Sequence, residues 1–162
     1  MDKTYEPLAA QTLGSAAASV TFSSIPQTYT DLKLICFAQL SALTWIHLRF
    51  NSDSGSNYSV NRIYGNGTTA YADRFNSQTG IDVGYLNSTN FGYSEINIMN
   101  YANSSTFKTI SNRWGSEGNS GYVMAGVGLW RNTASIATVS LTPNAGNFNT
   151  GSSFTLYGIR AA

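Results

Sequence analysis

Apolar and polar residues alternate along this chain with a period of two, and turn-forming clusters interrupt the pattern every dozen or so residues. No other feature restricts the fold as much. A strand with one face in a core and one in water must alternate in this way, because successive side chains point to opposite faces. Val20 and Phe22 alternate with Thr21 and Ser23, and Ile46, Leu48 and Phe50 with His47 and Arg49. Leu32, Leu34 and Cys36 form a similar series, although Ile35 and Phe37 make that stretch apolar on both faces. Ile96 and Ile98 flank Asn97, Val123, Ala125, Val127 and Leu129 share one face, and 136–141 and 154–159 read as two further strands. No stretch shows helical spacing, and the one Ala-rich run, 16–18, lies between Gly14-Ser15 and the β-branched Val20-Thr21.

The interruptions have a mechanism. Gly and Asn tolerate positive φ, and Asn, Asp and Ser side chains close local turns. Such residues fill Ser24-Ile25-Pro26-Gln27, Gly65-Asn66-Gly67 and the segments 51–55, 115–119 and 143–147. The expectation is an all-β chain forming a single antiparallel β-sandwich of jelly-roll type, with about eight to ten short strands. Its core would be lined by Phe22, Leu34, Leu48, Phe50, Ile98, Val127, Leu129, Leu141, Phe154 and Leu156. The least patterned stretch, 71–90, reads as a long loop with one short strand near Ile81-Asp82-Val83. No linker, shift in composition or convincing repeat divides the chain. Residues 1–12 lack a strand pattern and are expected to form an N-terminal arm, ordered by Tyr5 and Leu8 and draped over a neighbouring subunit. Residues 13–162 would be the single domain.

Composition removes several classes of function. Of the 162 residues, 10% are charged, against roughly 25% in an ordinary soluble domain. Ser, Thr and Asn take their place, while a hydrophobic fraction of 42% is ample for a core and excludes disorder. A net charge of +1, with six Arg and three Lys scattered singly, offers no footprint for nucleic acid or an anionic membrane. The lone Cys36 excludes an intrachain disulfide and a Cys-built zinc site. No apolar run is long enough to span a bilayer, and Met1-Asp2-Lys3-Thr4 leads into no apolar segment, so neither membrane insertion nor a secretory signal is expected.

Candidate chemistry is sparse. A nucleophile needs a base beside it, and the only His, His47, sits on the polar side of a strand where an ordinary inter-strand role is expected. Glycoside hydrolysis needs two convergent carboxyl groups. Asp82 and Glu95 are the one pair worth checking, and nothing in their spacing makes them meet. Asp53-Ser54-Gly55-Ser56-Asn57 faintly suggests a calcium loop but lacks the acids that would complete it, so a polar hairpin loop is expected. Gly65-Asn66-Gly67 is followed by no helix and is not a phosphate loop. No catalytic, cofactor or metal residue is assigned, and no enzymatic activity is expected. Aromatic residues near the predicted loops, above all Trp45, Tyr85, Tyr93 and Trp114, are the candidate contact surface, suited to stacking on sugar rings or to a protein interface.

Several stretches also carry a resemblance. Tyr5-Glu6-Pro7-Leu8-Ala9, the run 21–32, Leu48-Arg49-Phe50-Asn51-Ser52-Asp53 and Phe154-Thr155-Leu156-Tyr157-Gly158-Ile159-Arg160 resemble small virion structural proteins of tailed bacteriophages, mostly from viruses of aquatic bacteria, cyanophages among them. The resemblance runs almost end to end, and Leu156-Tyr157-Gly158-Ile159 is its most characteristic piece. It implies a β-sandwich on the virion, assembled in the host cytoplasm and released by lysis, and it brings no catalytic motif. Two roles follow as expectations. One is a capsid decoration or cement protein on the head, contacting the major capsid protein. The other is a tail or fibre adhesin that binds host-surface glycans or a receptor. Low charge, many aromatics and strand edges with few Lys lead further to self-association as a homotrimer or another closed ring.

Overall fold

The computed structural model describes residues 4–87, 89–116 and 121–160, and in it the alternating stretches pair into two antiparallel sheets without a helix. The larger sheet runs in the order β1 (Tyr5–Thr12), β12 (Ser153–Ile159), β3 (Asp31–Ala38), β8 (Gly92–Ile98), β9 (Lys108–Ser116), β10 (Tyr122–Trp130), β5 (Tyr58–Gly65) and β6 (Ala70–Gln78). The smaller runs β2 (Val20–Phe22), β11 (Val139–Pro143), β4 (Thr44–Phe50) and β7 (Ile81–Leu86). Most connections pass from one sheet to the other, the winding of a jelly roll, so the expected antiparallel sandwich is the fold. It has twelve strands among the described residues rather than eight to ten.

The core lies where the two inner faces meet. Leu34 of β3, Leu48 and Phe50 of β4, Leu141 of β11 and Phe154 and Leu156 of β12 are all buried there, with Phe22 and Ile98. Each such side chain contributes about 1.5–3 kcal/mol by leaving water. The segment Leu156-Tyr157-Gly158-Ile159 has a packing reason for its glycine. The ring of Tyr29 lies on Gly158, where an added Cβ would stand 2.5 Å from ring carbons.

β10 reverses the expectation. Val123, Ala125, Val127 and Leu129 do share a face, but it is the outer one: Val127 is 51% exposed and Leu129 half-buried. The inward residues are Met124, Gly126, Gly128 and Trp130. The cause is the close approach of β7, since a Cβ on Gly128 would lie 2.6 Å from Cγ2 of Ile81. Only glycine fits there, and the apolar series is left facing solvent.

The weakly patterned stretches also turn out to be strands. The short strand expected near Ile81-Asp82-Val83 is the start of β7, but the rest of 71–90 is not one long loop, since it also holds most of β6. β6 is solvated on both faces and has no reason to alternate, while a bulge opposite Ile46 and His47 breaks the period of β7. Residues 5–12, expected to reach over a neighbour, form β1 and pair with β12 of the same chain, with a bulge between Pro7 and Ala9. The strand expected at 136–141 begins only at Val139. Before it, the N–H of Ile136 donates to the Tyr101 carbonyl, and those of Ala137 and Thr138 to Oδ1 of Asn51, which diverts them from a ladder. The turn expected at 115–119 falls partly outside the described residues, with Gly115 and Ser116 completing β9.

Candidate functional site

The aromatic and charged residues singled out from the sequence gather mainly at the β7 edge. Cross-strand register puts Trp45 of β4 beside Tyr85 of β7, and His47 beside Asp82. Trp45 and His47 alternate with the buried Thr44, Ile46 and Leu48 and so point away from the core. β5 of the larger sheet reaches this side as well and supplies Arg62, only 6% exposed. The Arg62 guanidinium lies 3.8 Å from the centroid of the Trp45 ring and 5.0 Å from that of Phe75. Its Nη1 donates to Oδ2 of Asp82 at 2.7 Å, and its Nη2 to Oδ2 of Asp73 at 3.2 Å. His47 continues the chain, with Nε2 2.9 Å from Oδ1 of Asp82 and 3.1 Å from the side-chain amide of Asn144. Burial, together with the Asp73 carboxylate that accepts its hydroxyl, pushes the Tyr64 phenol up.

The rings lock together around this network. Trp45 and Tyr85 have centroids 4.8 Å apart, Trp114 meets Trp45 edge-on at 5.8 Å, and Tyr64 stacks on Tyr71 at 4.9 Å. Trp114 is 3% exposed and directs its indole N–H at the sulfur of Met124. Three of the four candidate contact residues are therefore brought together, but they face one another. One ring face of Trp45 is taken by Arg62, and Trp114 is buried. Trp114 is therefore no platform for a sugar, which corrects the expectation for it. Trp45, Tyr85 and Trp114 also lie on or beside strands rather than in loops, as does the fourth residue, Tyr93.

Tyr93 stands apart, on the outer face of the larger sheet next to Phe37. Its hydroxyl donates to Oε2 of Glu95 at 2.8 Å. Glu95 is covered by Lys33 at 2.8 Å and Arg113 at 2.7 Å. The Lys33 ammonium, then the Arg113 and Tyr93 donors, hold its carboxyl down at about 2 against the opposing effect of burial. Burial and the adjoining Glu95 carboxylate push the Tyr93 phenol up to about 12. Asp82 reaches the inner-face Arg62 while Glu95 projects from the outer face, so the sheet separates the two carboxylates that were the one pair to check.

The Asp53 loop closes on itself. Its carboxylate accepts from Gly55 N, Asn57 Nδ2 and Trp130 Nε1, the last at 2.7 Å. Among the described residues no three His, Cys, Asp or Glu side chains gather as a metal site requires. Of the two arm residues, Tyr5 is exposed beneath the Lys33 ammonium, and Leu8 is partly buried against the core.

Sequence reasoning missed the apolar outer surface of β5, β6 and β10. Ile63 is 63% and Val123 68% exposed, and Ala125 lies directly across from Ile63. A hollow of about 680 Å³ opens beside them, lined also by Ala70, Tyr71 and Ala72. The signal was present in the even apolar series of β10, and only its direction was misjudged.

No protein-family model matches the chain, and no curated protein does. Among solved structures it is similar to part of an exo-inulinase from Aspergillus awamori, with a TM-score of 0.41 and 10% identity over 96% of this chain. The chain spans only 29% of that enzyme's length. It is similar also to galectin LEC-6 of Caenorhabditis elegans, with a TM-score of 0.37 and 9% identity over 94% of this chain and 96% of the galectin. A variant of alginate lyase Aly36B in complex with an alginate trisaccharide gives a TM-score of 0.34 at 6% identity, covering 93% of this chain and 80% of the lyase.

Proposed function

We propose that the chain is a non-enzymatic structural protein of a phage virion, a decoration or cement protein seated on the head through the outer face of its larger sheet. The observation that carries this reading is the exposed apolar row of Ile63, Val123, Ala125 and Val127. An exposed apolar row of this kind supports a protein contact, and its border, with Arg113 and Tyr93, has the residue types that interface centres and rims favour. The locked network at the β7 edge supports a structural role, since its carboxylates are engaged by Arg62 and His47 rather than presented to a substrate.

Copy number tests it. The ratio of this protein to the major capsid protein in purified particles is expected to correspond to hundreds of copies, and Val123→Asp is expected to abolish incorporation while the purified variant stays folded. A few dozen copies or fewer, co-purifying with tails, would sink the reading. A tail or fibre adhesin for host-surface glycans is the second reading, favoured by the exposed Tyr93 and Phe37 side by side on one face. Glycan-array binding that is lost in Tyr93→Ala would support it.

A further inference from the structure

Four strands stand at the edges of the two sheets, and three of them are blunted. β1 carries Pro7 and a bulge beside it. β2 is only three residues long. β7 is packed over by β5, β9 and β10 and by the ring cluster around Trp45 and Tyr85. Pro, brevity and cover are the usual protections against edge pairing. Along 70–75 β6 has none of them, and its own bulge, at Asn76 and Ser77, comes only after that run. The strand is nine residues long, holds no Pro or Lys, and is exposed on both faces at every position except Asp73 and Gln78. Residues 70–75 keep an unbroken register with β5 before the bulge near Tyr58. Their far side presents a row of backbone N–H and C=O groups that no described strand pairs.

We propose that β6 pairs antiparallel with β6 of a second copy, about a two-fold axis through Asp73, so that two larger sheets become one. The symmetry itself narrows the choice. Two identical strands can lie side by side and antiparallel only about an axis normal to the sheet, which keeps inner face with inner face and places the axis on a residue. With Asp73 on the axis, Tyr71 opposes Phe75 of the second copy, and Phe75 opposes its Tyr71. Ala72 opposes Arg74. Moving the axis one residue either way sets an aromatic ring against Asp73 instead, and at Arg74 it also brings two guanidiniums together. Only the axis at Asp73 pairs ring with ring, twice.

The side chains are prepared for this arrangement. Tyr71 and Phe75 are 39% and 38% exposed, yet the first is already stacked on Tyr64 and the second lies against Arg62. Rings held in place lose little freedom on pairing, and cross-strand aromatic pairs are among the favourable ones. The two Asp73 carboxylates on the axis do not meet as bare charges, because Arg62 binds each through Nε and Nη2. On the outer face Ala72 and Ile63 of each copy would extend one apolar surface across the junction. The result closes after two copies and is a dimer, where composition suggested a homotrimer or another closed ring. It concerns the chain by itself and stands whether or not the virion reading does.

The test is sedimentation of the purified protein from low micromolar to hundreds of micromolar, with three sets of variants. A concentration-dependent dimer is expected. Ala72→Lys, at an exposed position that leaves the circular dichroism unchanged, faces Arg74 of the second copy and is expected to weaken the dimer at least about tenfold. The double variant Ala72→Cys with Arg74→Cys is expected to form a covalent dimer on mild oxidation, whereas Ala70→Cys or Val123→Cys is not. The native Cys36 is buried and does not compete. A wild-type chain that remains monomeric throughout, a dimer indifferent to Ala72→Lys, or cross-linking through Val123→Cys alone would each overturn the proposal.

Discussion

Arg62 lies between rings and carboxylates contributed by both sheets, so removing it strips the largely buried Asp82, and the more exposed Asp73, of their cation. Breaking a buried pair from one side typically costs about 3–5 kcal/mol. Arg62→Met is expected to lose about that much in urea denaturation, and a loss below about 1 kcal/mol would show the network to be dispensable. Glu95 gives a different test. Its carboxyl is held below its unfolded value, so the stability it contributes is complete above pH 4.5 and lost as pH falls toward about 2. Denaturation midpoints should fall through that window in the native chain and less steeply in Glu95→Gln. These residue-scale roles could not be read from the sequence. Trp45, Asp82 and Trp114 were visible as aromatics and acids, but what they touch is set by Arg62, which arrives from the other sheet and is an unremarkable cation in β5. Trp114→Ala is accordingly expected to destabilise the fold by about 3–5 kcal/mol, as a core truncation does, rather than to remove a binding surface.

At the scale of elements, β10 shows what periodicity can and cannot say. Alternation separates the two faces of a strand but does not state which one is inward, and hydrophobicity decides that only when the partner leaves room. Here β7 does not. Gly128→Ala should therefore destabilise by about 1–3 kcal/mol through overpacking against Ile81. Its neighbour Val127→Ala should stay within about 0.5 kcal/mol, as at other exposed positions. The reverse order in thermal melts would mean that the face has been assigned the wrong way round. The same limit explains β1 and β6, which the second layer hardly covers. β1 sets only Leu8 against the core and β6 has no fully buried residue, so their sequences look like loops, whereas β3, β4 and β12 declared themselves because each has one dry face.

Across the whole molecule, the buried Cys36 is a natural reporter. Burial pushes its thiol up, so little thiolate is present and no reagent can reach it without opening of the sandwich. Its modification should follow global unfolding, with a rate that rises in parallel with denaturant-driven unfolding. Fast labelling in native buffer would reveal a local opening of β3.

The sheet order also has a consequence in time. β12 is made after the other eleven strands, yet it lies between β1 and β3, two of the first to be made. On a ribosome the early strands have open flanks until residue 159 has emerged, and β12 then slots in as a keystone between two neighbours that run parallel to each other. Stalled nascent chains ending before residue 153 should be digested readily by protease, and protection should come in a single late step. The final contribution to this architecture is an insertion into its interior, and until then the chain carries two of its sticky borders uncovered.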